Sequence, residues 1–394
     1  MTRVCLVGSP ADPGFAGLRT RHFARALQAH ATHVLDGRAD DDTHLRQHVE
    51  RFGPGAVVSA GNYVPTALAT RLAGDSTPLW IDVAGDPFAE AQLVGGQAAA
   101  TEAVATWVPA LCRADAFSVV SDSGRHALVG ALGAVGRLPL LSPGDEGIAV
   151  CPVAMEFPDP PGAPRGPGLR VALVGGFNTW FDDETLASAL LLAMDAAPVE
   201  LVVTGGAIEG HYTEGFERFR RAMSRHETRC TFHGWLPEAE VAGALDGCHV
   251  LVCLDRGGPE PELGSRTRLL YALHRGLRVV TTGRSPLARE LAGMGLATLV
   301  PAACDVGEET AARAVAHAIL EAQPAPDASA ARERYSVDHA CRALVDWVRQ
   351  PRRRPAAPSP LAAVAAERDA LRRELAELRA SPTFRALDWV NRRR

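Results

Sequence analysis

Leu169-Arg170-Val171-Ala172-Leu173-Val174-Gly175-Gly176 is a short apolar run that stops at a glycine pair, and Arg3-Val4-Cys5-Leu6-Val7-Gly8 sets the same pattern at the start of the chain. A parallel strand buried on both faces reads this way when it feeds a tight loop and then a helix. Two such starts, separated by about the length of an ordinary domain, predict two α/β domains.

The stretches after each start agree. Strand-like runs recur at 56–59, 78–83, 116–121 and 148–152, then at 199–204, 228–233, 249–254, 278–282 and 297–300, with Ala- and Leu-rich helical segments between them. That alternation predicts a parallel sheet with helices on both faces in each half. The Pro- and Gly-dense segment 158–168 reads as a hinge, so the halves are 1–157 and 169–349. A second Pro- and Arg-rich segment, 350–360, reads as a linker. Beyond it, 361–394 forms a tail in which Leu361, Val364, Leu371, Leu375 and Leu378 fit a short coiled coil interrupted by Arg368. The tail ends in mixed aromatic and Arg residues that suit self-association, a membrane-surface contact or a frayed end.

Composition narrows the function. The chain has 394 residues, 47% hydrophobic and 22% charged, with a formal net charge of -5. Such a balance offers no general attraction to nucleic acid. No stretch approaches the roughly 20 apolar residues of a membrane span, and no export-type segment opens the sequence. The expectation is a cytoplasmic protein, peripheral to the inner membrane face if the tail docks there. Eight cysteines occur singly, without metal-ligand spacing, and read as free thiols. All 41 cationic residues are Arg, so any diphosphate site must use Arg forks, helix N-termini or backbone amides.

Five segments carry candidate chemistry. Gly8 to Arg19 reads as a glycine-rich loop before a helix at 20–30, placing Gly17 and Arg19 near a cleft, although the spacing does not match the GxGxxG of dinucleotide folds. The strand run 78–83 ends at Asp82 and Val83, with two carboxylates, Asp86 and Glu90, just past it, where open α/β sheets bind ligands, and Asp86 before Pro87 is equally a helix cap. Ser121 opens another helix, as a cap or a cleft residue. In the second half, Gly175, Gly176, Asn178 and Trp180 occupy the first strand-to-helix turn, where glycines admit a diphosphate and aromatics wall a base or sugar, or simply join the core. Finally, Glu260, Glu262, Gly264, Ser265, Arg266, Thr267 and Arg268 lead into a short helix ending at Gly276. A diphosphate there would meet amides, the helix dipole and the Arg266 guanidinium, unless Arg266 is only paired to Glu260 or Glu262.

The segments Gly264 to Leu270, Gly175 to Asp182, His233-Gly234-Trp235-Leu236-Pro237 and Asp82 to Glu90 resemble, in order and placement, those of the retaining glycosyltransferases grouped as family 4, over roughly residues 3 to 348. The resemblance implies a GT-B architecture, with two Rossmann-like domains facing a cleft and a C-terminal helical tail. It implies a nucleotide sugar held by the second domain, with Gly175, Gly176, Ser265, Arg266 and Thr267 along the diphosphate, and a hydroxyl acceptor held by the first. It implies sugar transfer with retention and no metal. On this reading Asp86 works near the acceptor, Arg266 at the leaving group, and Glu262 or Glu260 at sugar or ribose hydroxyls. The glutamate pair usual in that family, with seven residues between its members, falls here on Leu263 and Tyr271. A catalytically silent relative that binds a nucleotide sugar or a partner enzyme is therefore the alternative.

Overall fold

The computed structural model describes residues 1–12, 14–37, 42–157, 168–208 and 213–358, with scattered positions from 360 to 375. The hinge at 158–167 and most of the expected coiled coil and tail lie outside the described residues.

The first half forms β1 (Arg3–Gly8), β2 (Ala31–Asp36), β3 (Ala56–Ser59), β4 (Leu79–Val83), β5 (Ala116–Val119) and β6 (Ile148–Val150), ordered β2-β1-β3-β4-β5-β6. The second forms β7 (Leu169–Val174), β8 (Val199–Thr204), β9 (Cys230–Gly234), β10 (Val250–Cys253), β11 (Arg278–Thr282) and β12 (Ala297–Val300), ordered β12-β11-β10-β7-β8-β9. Every pairing is parallel, as the continuous apolar runs require. Strand order reverses beside β1 in one sheet and beside β7 in the other, so both opening strands deliver their glycine loops to a topological switch point, where such sheets hold ligands.

Three local expectations change. β2, Ala-Thr-His-Val-Leu-Asp, is an edge strand only partly buried, and its mixed composition gives little strand signal. The first helix spans Phe15–Ala26 instead of starting at Thr20, so Gly17 and Arg19 sit in its opening turns. A Cβ on Gly17 would lie 1.8 Å from the Asp12 carbonyl oxygen, which fixes glycine at this contact as a packing requirement.

The third change concerns the end of the second half. A parallel sheet needs cover on both faces. On one face of the first sheet, the Phe15–Ala26 helix leaves room that the Val337–Ala340 and Arg342–Arg349 helices fill. Val337, Leu344 and Val348 join Val4, Leu6, Phe23 and Trp80 in one core, with the Trp80 and Trp347 rings 5.4 Å apart. Residues 337–349, assigned by sequence to the second domain, thus pack on the first. The Pro- and Arg-rich segment is likewise a strap instead of a free linker. Buried Asp115 accepts hydrogen bonds from the Arg353 guanidinium at 2.6 and 2.7 Å and from the Arg354 amide at 2.7 Å, and the Ala357 amide donates to the Cys112 carbonyl at 3.1 Å.

Candidate functional site

The loops after β7, β8 and β9 are knitted by backbone hydrogen bonds. Gly175 N–H donates to Thr204 O at 2.9 Å, Phe177 N–H to Gly206 O at 2.9 Å, and Gly205 N–H to Gly234 O at 2.6 Å. Gly175 and Gly205 have φ of +89 and +91, and a Cβ on Gly205 would lie 2.4 Å from Gly175 O. Glycine is required there by both conformation and space. Phe177 and Phe181 are core, edge-to-face at 4.8 Å, while Trp180 is only partly buried. The Asn178 Oδ1 atom is buried with no partner among the described residues.

Facing this turn is the N-terminus of the Arg268–Arg275 helix. It has no acidic residue in its first turn, its Thr267 N-cap makes no side-chain cap bond, and Thr267 Oγ1 is buried without a partner among the described residues. Arg268 donates through Nη2 to Gly176 O at 2.7 Å, lies 4.9 Å from the Phe181 ring centre, and pairs with no carboxylate among the described residues. An uncapped helix start, two glycines and a guanidinium without a carboxylate partner are the kind of groups that favour an anion.

Arg266 plays a different part from the one its sequence position suggests. Its Nε donates to Asp255 Oδ1 at 2.6 Å, while Nη1 and Nη2 donate to the Glu260 carboxylate at 3.1 and 2.5 Å. Burial works against its charge, but the two carboxylates outweigh burial and raise its pKa. A guanidinium held by two buried carboxylates has little positive field left for a diphosphate, which corrects the leaving-group role expected of Arg266. Glu260 is spent on the same clamp, and Gly264 makes room for it, since a Cβ there would lie 2.9 Å from Glu260 Oε1. Ser265 contributes its carbonyl oxygen to Arg266 Nη1 at 3.2 Å. Glu262 pairs with Arg289 at 2.9 Å on the surface, away from this cluster. Glu260 is thus engaged by Arg266 and Glu262 by Arg289.

On the first domain, Arg19 and Asp82 neutralise one another in the interior. Nε and Nη2 of Arg19 donate to the Asp82 carboxylate at 2.9 and 2.8 Å, and its remaining bonds reach Cys151 O and Pro152 O. Ser118 Oγ donates to Asp82 at 2.6 Å. Both residues expected at the acceptor are thus structural. Asp86 Oδ1 caps the Pro87–Val94 helix, accepting from Phe88 N and Ala89 N at 3.1 and 2.8 Å. Ser121 Oγ caps the Asp122–Ala134 helix and touches Leu263 O of the second domain at 3.5 Å.

Glu90 is the exception. It sits one turn into the Pro87–Val94 helix, with the Asn62 amide 3.4 Å from each carboxylate oxygen and no cation among the described residues bonded to it. Burial, reinforced by Glu260 across the cleft and by Asp86, pushes its carboxyl up to about 7, against the pull of Asn62 and Arg266. A carboxyl displaced this far by burial and like charge, in a cleft between domains, marks a candidate functional group. The domains also meet where Arg21 and His22 approach Glu238, at 3.3 and 3.8 Å.

Asp255, Asn62 and Glu238 escaped sequence reading. Asp255 and Asn62 follow the ends of β10 and β3, a position that could have flagged them. Glu238 carried no such signal.

No protein-family model matches the sequence, and no curated protein matches it. Solved structures do match in three dimensions. Anabaena HepE in complex with UDP and glucose superposes with a TM-score of 0.63 at 16% identity, covering 89% of this chain and 100% of that one. Sucrose-phosphate synthase from Thermosynechococcus elongatus gives 0.61 at 14% identity, covering 96% and 100%. An Escherichia coli protein described as trehalose-6-phosphate bound with UDP-2-fluoro glucose gives 0.65 at 12%, covering 90% and 100%. The chain has the GT-B glycosyltransferase fold. That fold assigns the switch-point loops of β1 and β7 to opposite walls of one cleft. No helix among the described residues is long and apolar enough to cross a membrane.

Proposed function

We propose that the chain transfers a hexosyl group from a nucleoside-diphosphate sugar to a hydroxyl acceptor, with the retention that the family resemblance implies. The observation that carries this reading is the anion site formed by Gly175, Gly176, the uncapped start of the Arg268–Arg275 helix and Arg268. As the bond from C1 to the diphosphate oxygen breaks, negative charge grows on the leaving group, and fixed amides and a guanidinium stabilise it without reorganisation. The acceptor oxygen forms the new bond to C1 on the face the diphosphate leaves, as retention requires, and its proton passes to the departing diphosphate oxygen, while Glu90 can hold the acceptor hydroxyl and Asp86 keeps the turn in place. UDP-glucose is the first donor to try, since HepE has also been solved with it.

The silent-relative reading is favoured by the locked Arg266 and by Leu263 and Tyr271 at the family's glutamate positions. Incubating the purified chain with UDP-, GDP- and dTDP-hexoses and a panel of hydroxyl acceptors separates the two. Release of the diphosphate and a glycoside of unchanged anomeric configuration supports transfer; binding without release under all conditions leaves only the silent relative.

A further inference from the structure

The strap on the first domain also fixes where the tail begins. Arg353 donates to the Asp115 carboxylate at 2.6 and 2.7 Å, Arg137 Nε to Pro355 O at 3.2 Å, and the Ala357 amide to Cys112 O at 3.1 Å. Pro360 follows three residues later, and every described position from 360 to 375 is helical and exposed. Val364, Leu371 and Leu375 are 62, 57 and 45% exposed, although spacings of seven and four place them on one side of that helix. The folded body therefore leaves an apolar stripe in water. A helix of this length is marginal by itself and gains by having such a stripe covered.

The charges beside the stripe select the cover. With Leu361, Arg368 and Leu375 at heptad positions a, and Val364, Leu371 and Leu378 at d, positions g hold Glu367 and Glu374 and positions e hold Arg372 and Arg379. In two parallel copies, g of one helix faces the e position five residues further along the other. Glu367 then meets Arg372 of the second copy and Glu374 meets Arg379, on both sides of the seam. In antiparallel copies g faces g and e faces e, which sets Glu against Glu and Arg against Arg. Arg368 adds a restriction of its own. A single charged residue at a costs stability but fixes register and strand number, and its long side chain reaches water more readily from two strands than from a thicker bundle.

We propose that residues 361–378 form a parallel two-stranded coiled coil with a second copy of this chain, selected by pairing of Glu367 with Arg372 and of Glu374 with Arg379 between copies. This association does not depend on the transfer reading. Because the strap fastens each helix to its own first domain, the coil joins two chains through their first domains.

The test is sedimentation equilibrium of the full chain, whose mass should rise with concentration from that of one chain toward that of two. Glu367→Arg with Glu374→Arg leaves only Arg among the charged e and g positions, and Arg372→Glu with Arg379→Glu leaves only Glu. Each double variant alone should lose roughly tenfold or more in dimer affinity, and their equimolar mixture should recover it. A thermal midpoint equal to that of the wild type shows that the body of each variant is intact. Orientation is read in a Cys304→Ser background, since Cys304 is exposed. Val364→Cys should there form a disulfide with its own counterpart on mild oxidation, and preferential joining to Leu375→Cys would overturn the parallel arrangement. A single-chain mass at every concentration, or a dimer indifferent to both double variants, would overturn the proposal. A single chain that instead sediments with phosphatidylglycerol vesicles would overturn it in favour of a membrane-surface helix.

Discussion

At the scale of single residues, charge partners decide which Arg can act. Arg266 and Arg268 are two positions apart, yet one is enclosed by Asp255 and Glu260 and the other faces the glycine turn with its charge uncompensated. Arg266→Ala would leave two buried carboxylates without their cation, and breaking such a pair costs about 3–5 kcal/mol. We therefore expect Arg266→Ala to lower the urea midpoint of unfolding strongly; a variant of wild-type stability would contradict the clamp. Glu90 provides a pH signature. Its carboxyl is raised to about 7 when folded, above its ordinary value, so the folded state binds the extra proton between roughly pH 4.5 and 7. Its contribution is present below the ordinary carboxyl value and is lost as pH rises through 7. Comparing thermal unfolding at pH 5 and pH 8 should show Glu90→Gln losing part of the decline seen in the wild type, and identical profiles would refute the shift.

At the scale of elements, the sequence reveals strands better than it reveals partners. Eleven strands lie within or close to runs that apolar content and terminal glycines disclose, because a strand buried on both faces has little freedom of composition. β2 escapes because an edge strand is only half buried. The helix caps at Asp86 and Ser121 were legible because capping is a local matter of side-chain type and position. What could not be read was pairing over distance: Arg19 with Asp82, Arg353 with Asp115, and the terminal helices with the first sheet depend on the completed fold. That last contact is testable. Leu344 is fully buried in the first-domain core, and Leu344→Ala should cost about 2–5 kcal/mol. Hydrogen exchange should place the loss of protection in β1, β3 and β4; loss confined to β7 to β12 would contradict the packing.

At the scale of the whole molecule, the loop of the second domain that carries Glu260 and Arg266 comes close enough to the first domain to act on the displaced Glu90 carboxyl. The sequence located the second-domain loop but assigned its chemistry to Arg266, since nothing local distinguishes a clamped guanidinium from an available one. The central claim is that the Arg268 site holds a nucleotide-sugar diphosphate. The direct measurement is the thermal stability of the wild type and Arg268→Ala across a UDP-glucose titration. A ligand at 100 times its Kd adds about 2.7 kcal/mol, and losing a charge-assisted contact worth about 1.5–3 kcal/mol weakens binding roughly ten- to a hundredfold. The account predicts saturable stabilisation of the wild type and a titration displaced by that factor in Arg268→Ala, each protein referred to its own ligand-free stability because the variant also loses the bond to Gly176 O; an undisplaced titration in the variant would contradict it.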